Sequence, residues 1–155
     1  MAGPASPKQV RQMVRNAINA ALSSSGWRES RHPYDMLTPS YLPDGREIEH
    51  RGYAVGMLSS RFTSEMRQRN QTSTLATSIV GVRWAYRLRA DSPPTNGDYD
   101  AALDAQQDLV AAVRGMIETQ GQQGRITTAS QMVGPDGLAS FGELAIEIIH
   151  HYPLT

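Results

Sequence analysis

The chain has 155 residues, 15 Lys plus Arg against 15 Asp plus Glu, no cysteine, and 39% hydrophobic residues. Zero formal charge excludes a protein drawn onto nucleic acid by its overall field and is compatible with self-association. The missing cysteines exclude disulfides, Cys-based zinc sites and Cys nucleophiles, and no run approaches the roughly 18 apolar residues of a membrane span.

The length predicts one domain, residues 1–155. Lys8 is the single lysine, so 14 of the 15 basic residues are arginine. Arginine favours fixed, planar contacts to carboxylates or phosphates. The opening Met-Ala-Gly-Pro-Ala-Ser-Pro has neither a basic stretch nor an apolar run, so no signal peptide is expected.

Residues 1–6 are expected to form a flexible or partner-bound arm. Ser6-Pro7 is a helix start, with serine at the N-cap and proline at the first helical position. Val10, Met13, Val14, Ala17, Ile18, Ala21 and Leu22 recur at helical spacing, which predicts an amphipathic helix ending at Ser-Ser-Ser-Gly26. Pro33, Pro39 and Pro43 break any long helix in the next stretch. A short strand near 27–31 and then an extended loop are expected. Tyr34 and Tyr41 are expected to cover the edge of the chain's own core, with packing on a neighbour as the alternative.

Residues 46–58 read as a long strand. Glu47, Glu49, Arg51, Tyr53, Val55 and Met57 fall on one face; Ile48, His50, Gly52, Ala54 and Gly56 fall on the other. Gly52 and Gly56 predict a bulge or a close backbone approach. Residues 59–74 are polar, contain Arg61, Arg67 and Arg69, and read as a long hairpin loop.

The return strand, residues 75–89, carries the clearest pattern in the chain. Val80, Val82, Trp84, Tyr86 and Leu88 alternate with Arg83, Arg87 and Arg89, as in a half-buried strand. Asp91-Ser-Pro-Pro-Thr-Asn-Gly97 ends it. A helix over 99–120 follows, with an apolar stripe of Ala102, Leu103, Leu109, Val110, Val113, Met116 and Ile117. Asp98, Asp100 and Asp104 crowd its N-terminal turns, where the macrodipole favours them. Residues 125–133 and 139–154 read as a hairpin about the turn Gly134-Pro-Asp-Gly137. In it Leu144, Ile146 and Ile148 face one way, and Glu143, Glu147 and His151 the other. The order predicts an α+β fold: a mainly antiparallel sheet, two helices packed on one face, a long β-hairpin and a mobile N-terminal arm.

No enzyme motif is present: there is no G-x-S-x-G, no phosphate loop and no dinucleotide fingerprint. His32, His50, His150 and His151 lack metal-ligand spacing, and read as surface or interface residues. Glu143 and Glu147 lie about 13 Å apart on one strand face, too far for a carboxylate pair. No catalytic residue, metal or cofactor is expected. Arg83, Arg87, Arg89, Arg61, Arg67, Arg69, Glu47 and Glu49 are the candidate site residues, as a subunit interface or the lining of a DNA channel. The competing reading is a solvated face on which Glu47, Glu49, Glu143 and Glu147 balance the arginines.

Four stretches carry a resemblance: the 10–22 helix, the strand 79–89 running into Pro93-Pro94, the 100–117 helix, and the ending Gly142-Glu-Leu-Ala-Ile-Glu-Ile-Ile149. In this order the chain resembles the tail terminator (tail completion, or head–tail joining) proteins of long-tailed bacteriophages. The resemblance implies a virion protein assembled in the host cytoplasm. It implies a homo-oligomeric ring, usually a hexamer, that ends tube growth on the tail tube protein. The ring would offer a docking face to the head connector or stopper and let DNA through its lumen. It implies no enzyme and no membrane. Alternatives are another neck protein (a stopper, adaptor or tube protein), a cytoplasmic adaptor that binds by strand addition, or a ligand cleft near His50, His150 and Tyr152.

Overall fold

A computed structural model of the chain describes residues 4–62, 73–88, 93–120 and 123–154. Helix α1 spans Pro7–Leu22. Ser6 caps it, accepting from the Gln9 N–H while the Gln9 side chain accepts from the Ser6 N–H. This capping box satisfies two donors that a helix start leaves orphaned. Helix α2 spans Asn96–Thr119, with Thr95 and Asp98 forming the same device.

The strands are β1 (Arg28–Glu29), β2 (Gly52–Phe62), β3 (Ser73–Arg87), β4 (Gln123–Val133) and β5 (Ala139–Pro153). They form one sheet in the order β1-β2-β3-β5-β4. β1 runs parallel to β2; the other three pairings are antiparallel. The α+β class, with a sheet that is mostly antiparallel, is therefore the observed fold.

Both helices cover one face of the sheet. Val10, Val14, Ile18 and Leu22 of α1 join Ala102, Ala105, Leu109, Val113 and Met116 of α2. They pack on Val80, Val82, Trp84 and Tyr86 of β3 and on Leu144, Ile146 and Ile148 of β5. Fully burying one such aliphatic side chain is worth about 1.5–3 kcal/mol, so this layer dominates the stability. The stripe on α2 differs from the sequence expectation at one position. Leu103 is 57% exposed, because it lies one residue, about 100° around the helix, from Ala102 on the line Ala102–Ala105–Leu109 that faces the sheet.

The first strand of the hairpin also differs. Residues 46–51 are turns rather than strand, and β2 begins at Gly52. Glu47 and Glu49 therefore do not share a strand face with Tyr53. Arg51, just before β2, has φ +59°, and a left-handed residue cannot continue an extended run. At the far end, β2 continues to Phe62 and β3 starts at Ser73, so the expected 59–74 loop loses both of its ends to the ladder. Ala5 was expected in the arm. It is buried instead, and its N–H donates to the His151 carbonyl at 2.8 Å.

Candidate functional site

The sheet face away from the helices is not bare. Residues 30–50 cross it as an irregular segment without a long element, as three prolines dictate. Leu37 and Ile48, with Tyr34 and Leu42 beside them, pack on Ala54, Ala85, Ala139 and Phe141. The tyrosine expected at the core edge thus lies on a sheet face. Gly56 of β2 and Gly81 of β3 are cross-strand partners directly beneath Tyr34. A Cβ at Gly56 would come within 2.8 Å of the ring, and one at Gly81 within 2.3 Å of its hydroxyl oxygen. The close approach read from Gly56 is to this ring, and only a residue without a side chain permits it.

Polar groups complete the latch. Tyr34 Oη donates to Glu143 Oε1 at 3.0 Å, and Arg83 Nε lies 3.7 Å from Glu143 Oε2. Burial pushes the Tyr34 phenol up to about 12; Arg83 opposes the rise and Glu143 adds to it. The hydroxyl therefore remains a donor across the ordinary pH range. Arg87 Nη2 donates to the carbonyls of Arg46 (2.6 Å) and Ile48 (2.8 Å). Glu49 accepts from Ser30 Oγ and the Arg31 N–H. The Gly45 N–H donates to Asp136 Oδ2 at 2.6 Å, which ties the segment to the β4–β5 turn.

These bonds place the candidate site residues. Arg83 and Arg87 share the expected strand face, but both hold down residues 30–50. The Arg83 side chain is only 22% exposed. Glu49 belongs to the same latch and Glu47 is exposed in a turn. Arg61 is exposed on β2 opposite Thr77, ten residues along β3 from Arg87 and so about 33 Å away. The structure does not bring these three arginines into one cluster. Arg67, Arg69 and Arg89 lie outside the described residues. Glu143, read as part of a charged surface, is the acceptor at the centre of the latch. Gly81 was the missed signal: a second glycine in a β-branched strand, in register with Gly56.

The histidines also separate. His50 Nδ1 accepts from the Arg87 N–H at 3.1 Å and its ring meets Tyr86 edge-on at 4.5 Å. Desolvation, then the charges of Arg51 and Arg87, hold this imidazole below its usual range. His150 is opposite Ala76, eleven residues from Arg87 along β3, or about 36 Å. A cleft shared by His50 and His150 is therefore excluded by register. Nor is His150 a surface residue: it is 4% exposed, with Nε2 2.7 Å from Ser78 Oγ and Nδ1 3.0 Å from the Ala5 carbonyl. The carbonyl can only accept, so Nδ1 carries a proton and donates to it, and in the neutral ring Nε2 accepts from Ser78. Ser78 Oγ is in turn 2.9 Å from Ser60 Oγ. This Ser–His pair is sealed under the chain's own N-terminal segment and works as a clamp, with Ser78 fully buried.

The remaining feature is β4. It pairs with β5 on one side, and among the described residues no strand pairs with its other side. Most of its 11 residues are exposed, Met132 by 60% and Val133 by 43%. A groove of about 440 Å³ runs beside it, walled by Leu37, Pro39 and Met132 over a floor of Phe141, Gly142 and Glu143. Among the described residues, no group of three His, Cys, Asp or Glu side chains is arranged to hold a metal ion, and no helix is long and apolar enough to cross a membrane. No known family model matches the chain, and no curated protein matches it in sequence.

Proposed function

We propose that this chain is a structural subunit that assembles through the free edge of β4, as a ring-forming tail terminator of a long-tailed phage would. The observation that carries the reading is that edge. Along the eleven residues of β4, the N–H and C=O groups that point away from β5 have no strand partner among the described residues; Arg125 is the strand's one charge, and one irregularity falls between Ile126 and Thr128. Proteins that remain alone usually blunt such an edge with charges, proline, bulges or a covering element, and β4 has a single charge and a single irregularity in eleven residues. Exposed Met132 and Val133, with Leu103 exposed on α2, supply apolar surface for a second contact. The ring would be a homo-oligomer, hexameric by the family resemblance, seated between the tail tube protein and the head connector with DNA in its lumen. In this reading Arg83 and Arg87 build the subunit, and among the described candidate arginines exposed Arg61 is the one left to face a partner or DNA.

A mass measurement in solution, with and without tail tubes, together with negative-stain images, tests the proposal. Rings are expected, and Ala129→Lys with Met132→Lys should abolish them while leaving the fold intact, since both positions are solvent-facing. A monomer that stays single in the presence of tail tubes would sink the ring. A one-to-one complex with a different chain, lost in the same variant, would favour the strand-addition adaptor.

A further inference from the structure

Three of the buried side-chain polar atoms that lack a hydrogen-bond partner are Trp84 Nε1, Gln106 Oε1 and Gln131 Oε1. The fold brings their residues together. Gly142 of β5 is the register partner of Trp84 on one side and of Gln131 on the other, so the three form a row across the sheet. Trp84 packs in the core beneath the helices, and Gln131 reaches up to α2. A Cβ on Gly142 would fall 2.1 Å from Trp84 Cε2 and 1.9 Å from Cζ2. The indole therefore lies across β5. Nε1 is bonded to Cε2, so the indole N–H lies one bond from the part of the ring that covers Gly142.

Gln131 closes the other side. Its Nε2 donates to the Ala102 carbonyl on α2 at 2.8 Å. That bond fixes the orientation of the amide and leaves Oε1 as an acceptor. Gln106 is four residues, one turn, beyond Ala102 on the same helix face. The helix-facing side of this row carries one donor, the indole N–H, and one acceptor, Gln131 Oε1, and Gln106 on the α2 face that Gln131 reaches carries a second acceptor. Two carbonyl oxygens cannot bond each other. A water molecule accepts one bond and donates two, which matches this set group for group, and buried waters typically make about three such bonds.

We propose that one long-lived internal water accepts from Trp84 Nε1–H and donates to Gln131 Oε1 and Gln106 Oε1. It joins β3, β4 and α2 at one point and braces the inner side of the β4 strand. This site is independent of any assembly at the outer edge of β4.

Water-selective nuclear Overhauser spectroscopy on the full chain tests the site. The Trp84 indole resonance is assigned by comparison with Trp27→Phe. A cross-peak to water with the sign of the diagonal in the laboratory-frame experiment and the opposite sign in the rotating frame is expected, the signature of a bound water rather than proton exchange. Gln131→Leu and Gln106→Leu each remove an acceptor, and each should take away most of that intensity. A wild-type indole proton with no water cross-peak overturns the proposal. So does a cross-peak unchanged in both glutamine variants. Because the wild-type spectrum alone can refute the site, a poorly folded variant does not shelter it.

Discussion

Arg83 lies over the ring of Tyr34, with Cζ 4.2 Å from the ring centroid and Nη1 donating to the Tyr34 carbonyl at 3.0 Å. One side chain thus engages the residue twice, at its ring and at its backbone. With Glu143 holding the hydroxyl, Tyr34 is gripped at both ends across two glycines. The arginine that suggested a DNA channel or a subunit contact is a fastening within the chain itself.

Removing that ring should loosen the whole 30–50 segment. Tyr34→Ala is expected to cost about 2–4 kcal/mol, the usual range for deleting a large packed side chain. Tyr34→Phe keeps the ring and loses one bond to a charged acceptor, about 1.5–3 kcal/mol at most. Gly81→Ala should cost about 1–3 kcal/mol by forcing the ring outward. Urea denaturation measures all three. An unaffected Gly81→Ala would show that Tyr34 does not rest on the sheet.

Helix α2 supplies a paired test of which side faces the sheet. Val113 is 0% exposed and Leu103 is 57% exposed. Val113→Asp buries an unpaired charge and should leave the protein unfolded or insoluble. Leu103→Asp should stay within about 0.5 kcal/mol of the parent, as for most surface positions. Thermal melts of the two variants check this, and equal damage from both would contradict the observed rotation of the helix.

At the other end of the sheet, His150→Phe would leave the Ser78 hydroxyl and the Ala5 carbonyl without this partner. Ser78 keeps Ser60 Oγ as a partner, whereas the Ala5 carbonyl loses the imidazole N–H, at a cost of about 1–3 kcal/mol. The Ala5 N–H bond to His151 should open with it, so amide exchange at Ala5 should speed up more than exchange at Val14 in α1. Unchanged protection of Ala5 would show that the imidazole is not what anchors the N-terminal segment.

His50 sets a pH dependence with a definite sign. Its folded-state value is lowered by desolvation and by Arg51 and Arg87, with Tyr86 the neighbouring ring. Between that lowered value and the ordinary 6.5, the unfolded chain binds more protons, so stability rises with pH. The contribution is full above pH 6.5 and is lost as pH falls through the folded value. Protonation at Nδ1 also breaks the bond accepted from the Arg87 N–H. NMR titration should place His50 below the free imidazole, and a His50→Gln variant should show a shallower loss of stability on acidification. A titration at or above the free value would reverse the sign.

Local pattern alone determined a good part of this protein. Ser6-Pro7 and the spacing from Val10 to Leu22 specified α1, because a cap and a 3.6-residue period are readable within one turn of chain. The alternation from Val80 to Leu88 assigned the buried face of β3, and Gly134 to Gly137 marked the last turn, since both are short-range signals. Tertiary structure alone decided the rest. Whether Arg83 meets solvent or Tyr34 depends on a segment some 49 residues away in sequence folding back over the sheet. Whether His150 is a surface group or a buried clamp depends on Ala5 at the opposite end of the chain. A strand's period separates its two faces but does not say what covers the second one. Here that face is covered by an aperiodic, proline-broken segment held by polar bonds, and neither proline breaks nor long-range hydrogen bonds leave a period in the sequence.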